Sequence, residues 1–94
     1  MLRISVSSHD GVTNLIIEGK FAGDGVSELE KCWQKTVGAQ AATLVSVDLA
    51  RVTFADARGL ELLKNMSKEG VQMTGSSLLA ESIREQIRKA LQGK

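Results

Sequence analysis

The chain has 94 residues, 43% of them hydrophobic and 24% charged, with a formal net charge of +1. That length predicts one domain, residues 1–94, able to bury a core without staples, and the composition excludes a disordered chain. A charge this close to zero, with aromatic residues at only 3%, argues against nucleic acid as a partner.

Leu2-Arg3-Ile4-Ser5-Val6-Ser7 alternates apolar and polar residues, the period of a half-buried strand. His9-Asp10-Gly11 follows as a turn, and Asp-Gly favours a hairpin. Thr13 to Gly19 is the second strand, so the chain is expected to open with an antiparallel pair. Phe21-Ala22-Gly23-Asp24 is predicted as a loop. Asp24 can cap the next helix, and so can Ser27, with Glu30 three residues on as a capping box. Val26, Leu29, Trp33 and Val37 share one face of that helix, and Gly38 is expected to end it. Thr43 to Leu49 is nearly all apolar, as in a central strand. Ala50 to Phe54 is predicted as a short loop. Asp56 then caps a second helix running to about Lys68, Gly70 breaks the chain, and Val71 to Thr74 is a short last strand. Gly75-Ser76-Ser77 opens the final helix, whose apolar face is Leu79, Ala80, Ile83, Ile87, Ala90 and Leu91. The order β-β-α-β-α-β-α predicts an α/β fold with a mixed four-stranded sheet and its helices packed mainly on one face.

The densest signal lies between Val45 and Leu63, where an apolar strand leads through Asp56 into a helix. The first amides of that helix have no partner within it, and Asp56 can accept from one of them at the positive helix end. At about 100° per residue, Leu60, Leu62, Leu63 and Met66 fall in one broad arc with Gly59 in its middle. Gly59 should therefore face the sheet, and its missing side chain should let the helix approach closely. Arg58, Glu61, Asn65 and Lys68 fall on the solvent side. Arg58 thus stands at the exposed start of a helix beside the carboxyl end of a strand, where binding sites gather in open α/β sheets.

The weaker candidates have plainer explanations. Asp48 and Asp56 could be imagined as an acid–base pair, but no histidine or second polar cluster accompanies them. Asp48 is expected to serve the strand end. Gly23-Asp24-Gly25 is too short to cradle a phosphate, and Ser76-Ser77 suits a helix cap better than a nucleophile. Trp33 sits at core spacing, Cys32 at its flank, and His9 in an exposed turn. One cysteine makes no intrachain disulfide, and with one histidine it builds no metal site. No cofactor is expected. Met1 to Val12 holds no apolar core of signal-peptide length, and no apolar run nears the roughly 18 residues that span a bilayer. A cytoplasmic protein with no direct membrane insertion is the expectation.

In Val47-Asp48-Leu49-Ala50, then Val52-Thr53-Phe54, then Asp56-Ala57-Arg58-Gly59-Leu60, the chain resembles the STAS family of anti-sigma factor antagonists. The family's signature is an apolar strand, Asp-Leu-Ser/Ala, a short loop ending in an apolar residue, and Asp-Ser-Ser/Thr-Gly-Leu. The resemblance extends over almost the whole chain, including Val71 to Gly75 and Ser82-Ile83-Arg84. It implies a non-catalytic regulatory module whose partner is a protein, an anti-sigma factor or similar regulator. The implied contact residues are Phe21, Asp24, Asp56, Ala57, Arg58, Glu61 and Asn65, with Gly59 and Asp48 structural. The family's phosphorylated Ser/Thr falls at Arg58, so a phosphorylation switch is not expected here. The acidic residue that family members carry after the second strand falls at Ala22, with Asp24 displaced by two. An alternative implied by the same resemblance is an accessory subunit of an ABC-type lipid-transport complex.

Overall fold

A computed structural model describes the backbone of residues 2–39 and 44–92, and the side chains of 2–36 and 44–92. The predicted places of the Val37 side chain and of Thr43 lie outside the described residues. The elements are β1 (Leu2–His9), β2 (Val12–Phe21), α1 (Asp24–Ala39), β3 (Leu44–Ala55), α2 (Ala57–Lys68), β4 (Gln72–Thr74) and α3 (Leu78–Gln92). They form a four-stranded sheet in the order β1-β2-β3-β4. β1 runs antiparallel to β2, whereas β2–β3 and β3–β4 are parallel.

The hairpin follows from its turn. Asp10 and Gly11 both take positive φ, 53° and 78°, the handedness that matches the twist of two strands joined by a two-residue loop. The parallel strands need helical crossovers, and α1 and α2 supply them. Alternation then decides which sheet face is covered. Thr13, Leu15 and Ile17 of β2 and Val45, Val47 and Leu49 of β3 are buried. The apolar residues among them form one cluster with Val26 and Leu29 of α1, Leu62, Leu63 and Met66 of α2, and Ala80, Ile83 and Ile87 of α3. All three helices therefore lie on one face. Asn14, Ile16, Glu18, Ser46 and Asp48, on the other face, are only half-buried.

Several boundaries differ from the sequence expectation. α1 begins at Asp24, upstream of Ser27, so Ser27 and Glu30 form no capping box. Its first amides are satisfied by backbone: Gly25 N–H donates to Ala22 O and Val26 N–H to Gly23 O, each at 3.1 Å. It runs through Gly38 to Ala39. Trp33 and Cys32 are only partly buried against the core. Ala50 to Phe54 is strand, not loop, because β3 continues alongside β2 as far as Ala55. Two bulges interrupt the alternation there: Ile16 pairs with Asp48 but Glu18 with Arg51, and Gly19 with Val52 but Lys20 with Phe54. Each places an extra residue on β3, which breaks the period that identifies a strand in sequence.

α2 ends where Gly70, at φ +100°, lets its own N–H donate to Ser67 O and that of Val71 to Met66 O, both at 3.0 Å. This Schellman-type closure takes Val71 as its last residue, so β4 starts one residue later than predicted. Ser77 caps α3, its Oγ accepting from Ala80 N–H at 3.0 Å. On α3, Ala90 is exposed rather than part of the buried face. No helix among the described residues is long and apolar enough to cross a membrane.

Candidate functional site

β2 and β3 end side by side, Phe21 opposite Ala55, and the connections into α1 and α2 leave from that edge. Asp56 joins them. Its backbone is extended, at φ −87° and ψ 179°, as an N-cap requires. Its Oδ1 accepts from Gly59 N–H at 2.7 Å, and its Oδ2 from Gly23 N–H at 3.2 Å. Its own N–H donates to Phe21 O at 3.2 Å. One residue therefore caps α2 and ties it to the loop before α1.

The Gly59 N–H bond is the main reason the Asp56 carboxyl titrates below its usual 3.8; desolvation opposes it, and the Gly23 N–H and the Arg58 charge assist. A carboxylate held below its ordinary pKa stabilises the fold above that ordinary value, and the contribution vanishes as the pH falls through the lower folded value. Asp56→Ala should therefore unfold at lower urea than the wild type near neutral pH. The gap should close steadily on acidification through and below the carboxylate range. A gap that stays constant with pH would show that the charge of Asp56 is not what holds this junction.

Gly59 is buried on the underside of α2 and faces the sheet, as the helical wheel predicts. A Cβ there would meet Phe21 Cδ2 at 2.8 Å, Phe21 Cε2 at 3.0 Å and Phe21 O at 3.0 Å. Here the expectation for Phe21 needs correction. It is the last residue of β2 rather than part of a loop, and its side chain is fully buried. It supports α2 from beneath and has no surface to offer a partner. The segment left exposed beside the site is Gly23-Asp24, with Asp24 in the first turn of α1.

The other expected contact residues reach solvent. Ala57, Arg58, Glu61 and Asn65 are all exposed. Arg58, Glu61 and Asn65 recur every three or four residues and so form one ridge along α2. Glu61 faces Lys64 at 3.9 Å, a distance at which an exposed pair contributes little. Asp48 stands at the first bulge, where its Oδ1 accepts from Ala50 N–H at 2.9 Å and so supports the kink structurally. Asp48 and Asp56 thus serve two different backbone junctions. Among the described residues, no group of three or more His, Cys, Asp or Glu side chains could hold a metal ion.

One exposed residue of this edge is absent from the sequence-based set. Phe54 is 48% exposed, and Lys20 Nζ lies 5.7 Å from its ring centroid. An apolar residue closing a presumed loop gives no sign of which way it points.

No protein-family model matches the sequence, and no curated protein does. Solved structures do match. The anti-sigma factor antagonist from Mycobacterium paratuberculosis superposes with a TM-score of 0.76 at 19% identity, over 99% of this chain and 79% of that one. SpoIIAA, an anti-sigma factor antagonist in its unphosphorylated form, gives 0.59 at 14% identity over 92% and 98% of the two chains. A protein from Shewanella loihica PV-4 with a SpoIIAA-like fold gives 0.62 at 8% identity over 96% and 78%. At these identities the likeness is one of fold, and it agrees with the α/β architecture expected from the sequence.

Proposed function

We propose that this STAS-like domain is a non-catalytic regulatory module that binds a partner protein, an anti-sigma factor or similar regulator, along the exposed ridge of α2. One observation carries this reading. The start of α2, with Arg58 exposed, is locked to the sheet by Asp56 and Gly59 at the carboxyl ends of β2 and β3. Because that base is fixed, a partner that binds Arg58 orders only its side chain and not the turn that carries it. Arg58, Glu61 and Asn65 form the docking edge, with Ala57 and Asp24 beside it.

The same residues argue for docking that is not switched by phosphate. From Asp56 to Gly59 the sequence is Asp-Ala-Arg-Gly, without a hydroxyl to esterify. Arginine also brings positive charge where a phosphate would bring negative. A cation in the first turn of a helix gains nothing from the helix dipole, so helix stability does not account for Arg58.

The test is a titration with kinase-type anti-sigma factors, with and without ATP. The expected result is a complex whose affinity ATP leaves unchanged. Arg58→Glu should weaken it by roughly 30-fold, the loss typical of a dominant interface residue. An acidic residue suits a helix start, so this variant should stay within about 1 kcal/mol of wild-type stability, and lost binding would not reflect unfolding. Wild-type affinity in Arg58→Glu would remove the ridge from the interface. Release by ATP with phosphate found in the Asp56–Gly59 turn would overturn fixed docking.

A further inference from the structure

The second bulge of β3 has an unusual consequence for Phe54. Val52 is buried on the helix-covered face. In an unbroken strand Phe54, two residues on, would point to the same face. The shift between Gly19–Val52 and Lys20–Phe54 inserts Thr53 and reverses that. The ring turns to the open face, and the small Ala55 takes the place opposite the buried Phe21. Burying a phenylalanine side chain is worth about 1.5–3 kcal/mol, so the bulge forgoes a stabilising contact to place this ring outside. Bulges are over-represented beside binding sites, where they re-aim a side chain.

Lys20 sits over the Phe54 ring and forms no salt bridge among the described residues, and neither does Arg58. Arg51 is already paired with Glu18 at 3.3 Å. The nearest carboxylate in sequence, Asp56, is occupied by two backbone N–H groups. An exposed aromatic ring with an unpaired cation over it offers an apolar contact and a charge together, and aromatic residues are enriched among interface anchors.

We propose that Phe54, with Lys20 over its ring, is an aromatic anchor for an acidic protein segment carrying an apolar side chain. The docking edge then continues from α2 around the carboxyl end of the sheet onto its open face. This rests on the docking function proposed above, and it names the chemistry of the partner. A carboxylate of the partner meets Lys20, and its apolar residue covers the ring.

Two measurements on the full chain test it. In amide-resolved NMR, a synthetic peptide of alternating glutamate and leucine should shift Lys20, Thr53, Phe54 and Ala55. A lysine–leucine peptide of equal length should not, and Phe54→Ser should abolish the shifts. Shifts elsewhere, or equal shifts with both peptides, would overturn the proposal. Separately, with an anti-sigma factor that the wild type binds, Phe54→Ala should weaken binding roughly 30-fold and Lys20→Glu roughly tenfold. Arg3→Ala, on the open face of β1, should leave it unchanged. If Arg58→Glu loses binding while Phe54→Ala and Lys20→Glu stay within about twofold of wild type, the anchor is refuted and the docking ridge stands. If no anti-sigma factor binds but the acidic peptide maps to this patch, the choice of regulator is refuted and the acidic anchor stands.

Discussion

Phe21→Ala lowers the unfolding free energy by about 3–5 kcal/mol, the usual range for emptying a buried phenylalanine site. Within the roughly 5–15 kcal/mol that holds a domain together, that is a large share. The side chain is wholly buried, and its position matters as much as its area. The ring lies directly beneath Gly59, and the carbonyl of the same residue accepts the Asp56 N–H. Removing the ring leaves a void under the first turn of α2, the turn that presents Arg58. Urea unfolding should show a lower midpoint with an unchanged slope.

The contact between Phe21 and Gly59 can be isolated. Gly59→Ala alone should cost about 1–2 kcal/mol: overpacking against the ring and carbonyl outweighs the gain in helix propensity. In the double variant the new methyl group occupies part of the space the ring vacates. The two effects should therefore sum to less than their separate values, with a coupling of about 0.5–3 kcal/mol. Strict additivity would mean that the ring does not set how near α2 comes to the sheet.

Gly75→Ala has the second large effect, a loss of about 2–4 kcal/mol. Gly75 follows β4 and takes φ +121°, where a side chain is strained. A Cβ there would also lie 2.8 Å from Ala50 N, 3.2 Å from Leu49 C and 3.1 Å from Ala80 Cβ. Two of these are backbone atoms at the first bulge of β3, so they cannot turn aside as a flexible side chain would. Ser76→Ala, at the exposed neighbouring position, should change stability by less than about 0.5 kcal/mol. Equal thermal midpoints for the two variants would show that the β4–α3 connection does not pack this closely on β3.

What the sequence determined by itself was local. Asp10-Gly11 specified its hairpin through the two positive φ angles such a turn demands. Asp56 announced a helix start because a cap is a matter of a few adjacent residues. Helical period alone separated Gly59, Leu62, Leu63 and Met66 from Arg58, Glu61 and Asn65, and the structure keeps that division. The β-β-α-β-α-β-α order was legible for the same reason, since each element carries its own period and its own stop signals, whereas the STAS-like architecture was read from the resemblance of Val47 to Leu60 to that family's motif.

Only the tertiary structure decided the rest, because those features depend on a partner strand or helix distant in the chain. The two bulges of β3 are set by pairing with β2, and they turned a presumed loop into strand and sent Phe54 outward. Phe21 looked like a loop residue until the extended β2 carried it beneath Gly59, 38 positions away by their numbers. The second oxygen of Asp56 found Gly23 only when the two strand ends met. The tight fit of Gly75 against Ala50 exists only once β4 lies beside β3. A period or a cap is written in consecutive residues, whereas the direction of a side chain beyond a bulge is written in the register of two strands. The exposed ridge of α2 was therefore visible from the sequence, and the outward turn of Phe54 onto the open sheet face appeared only in the fold.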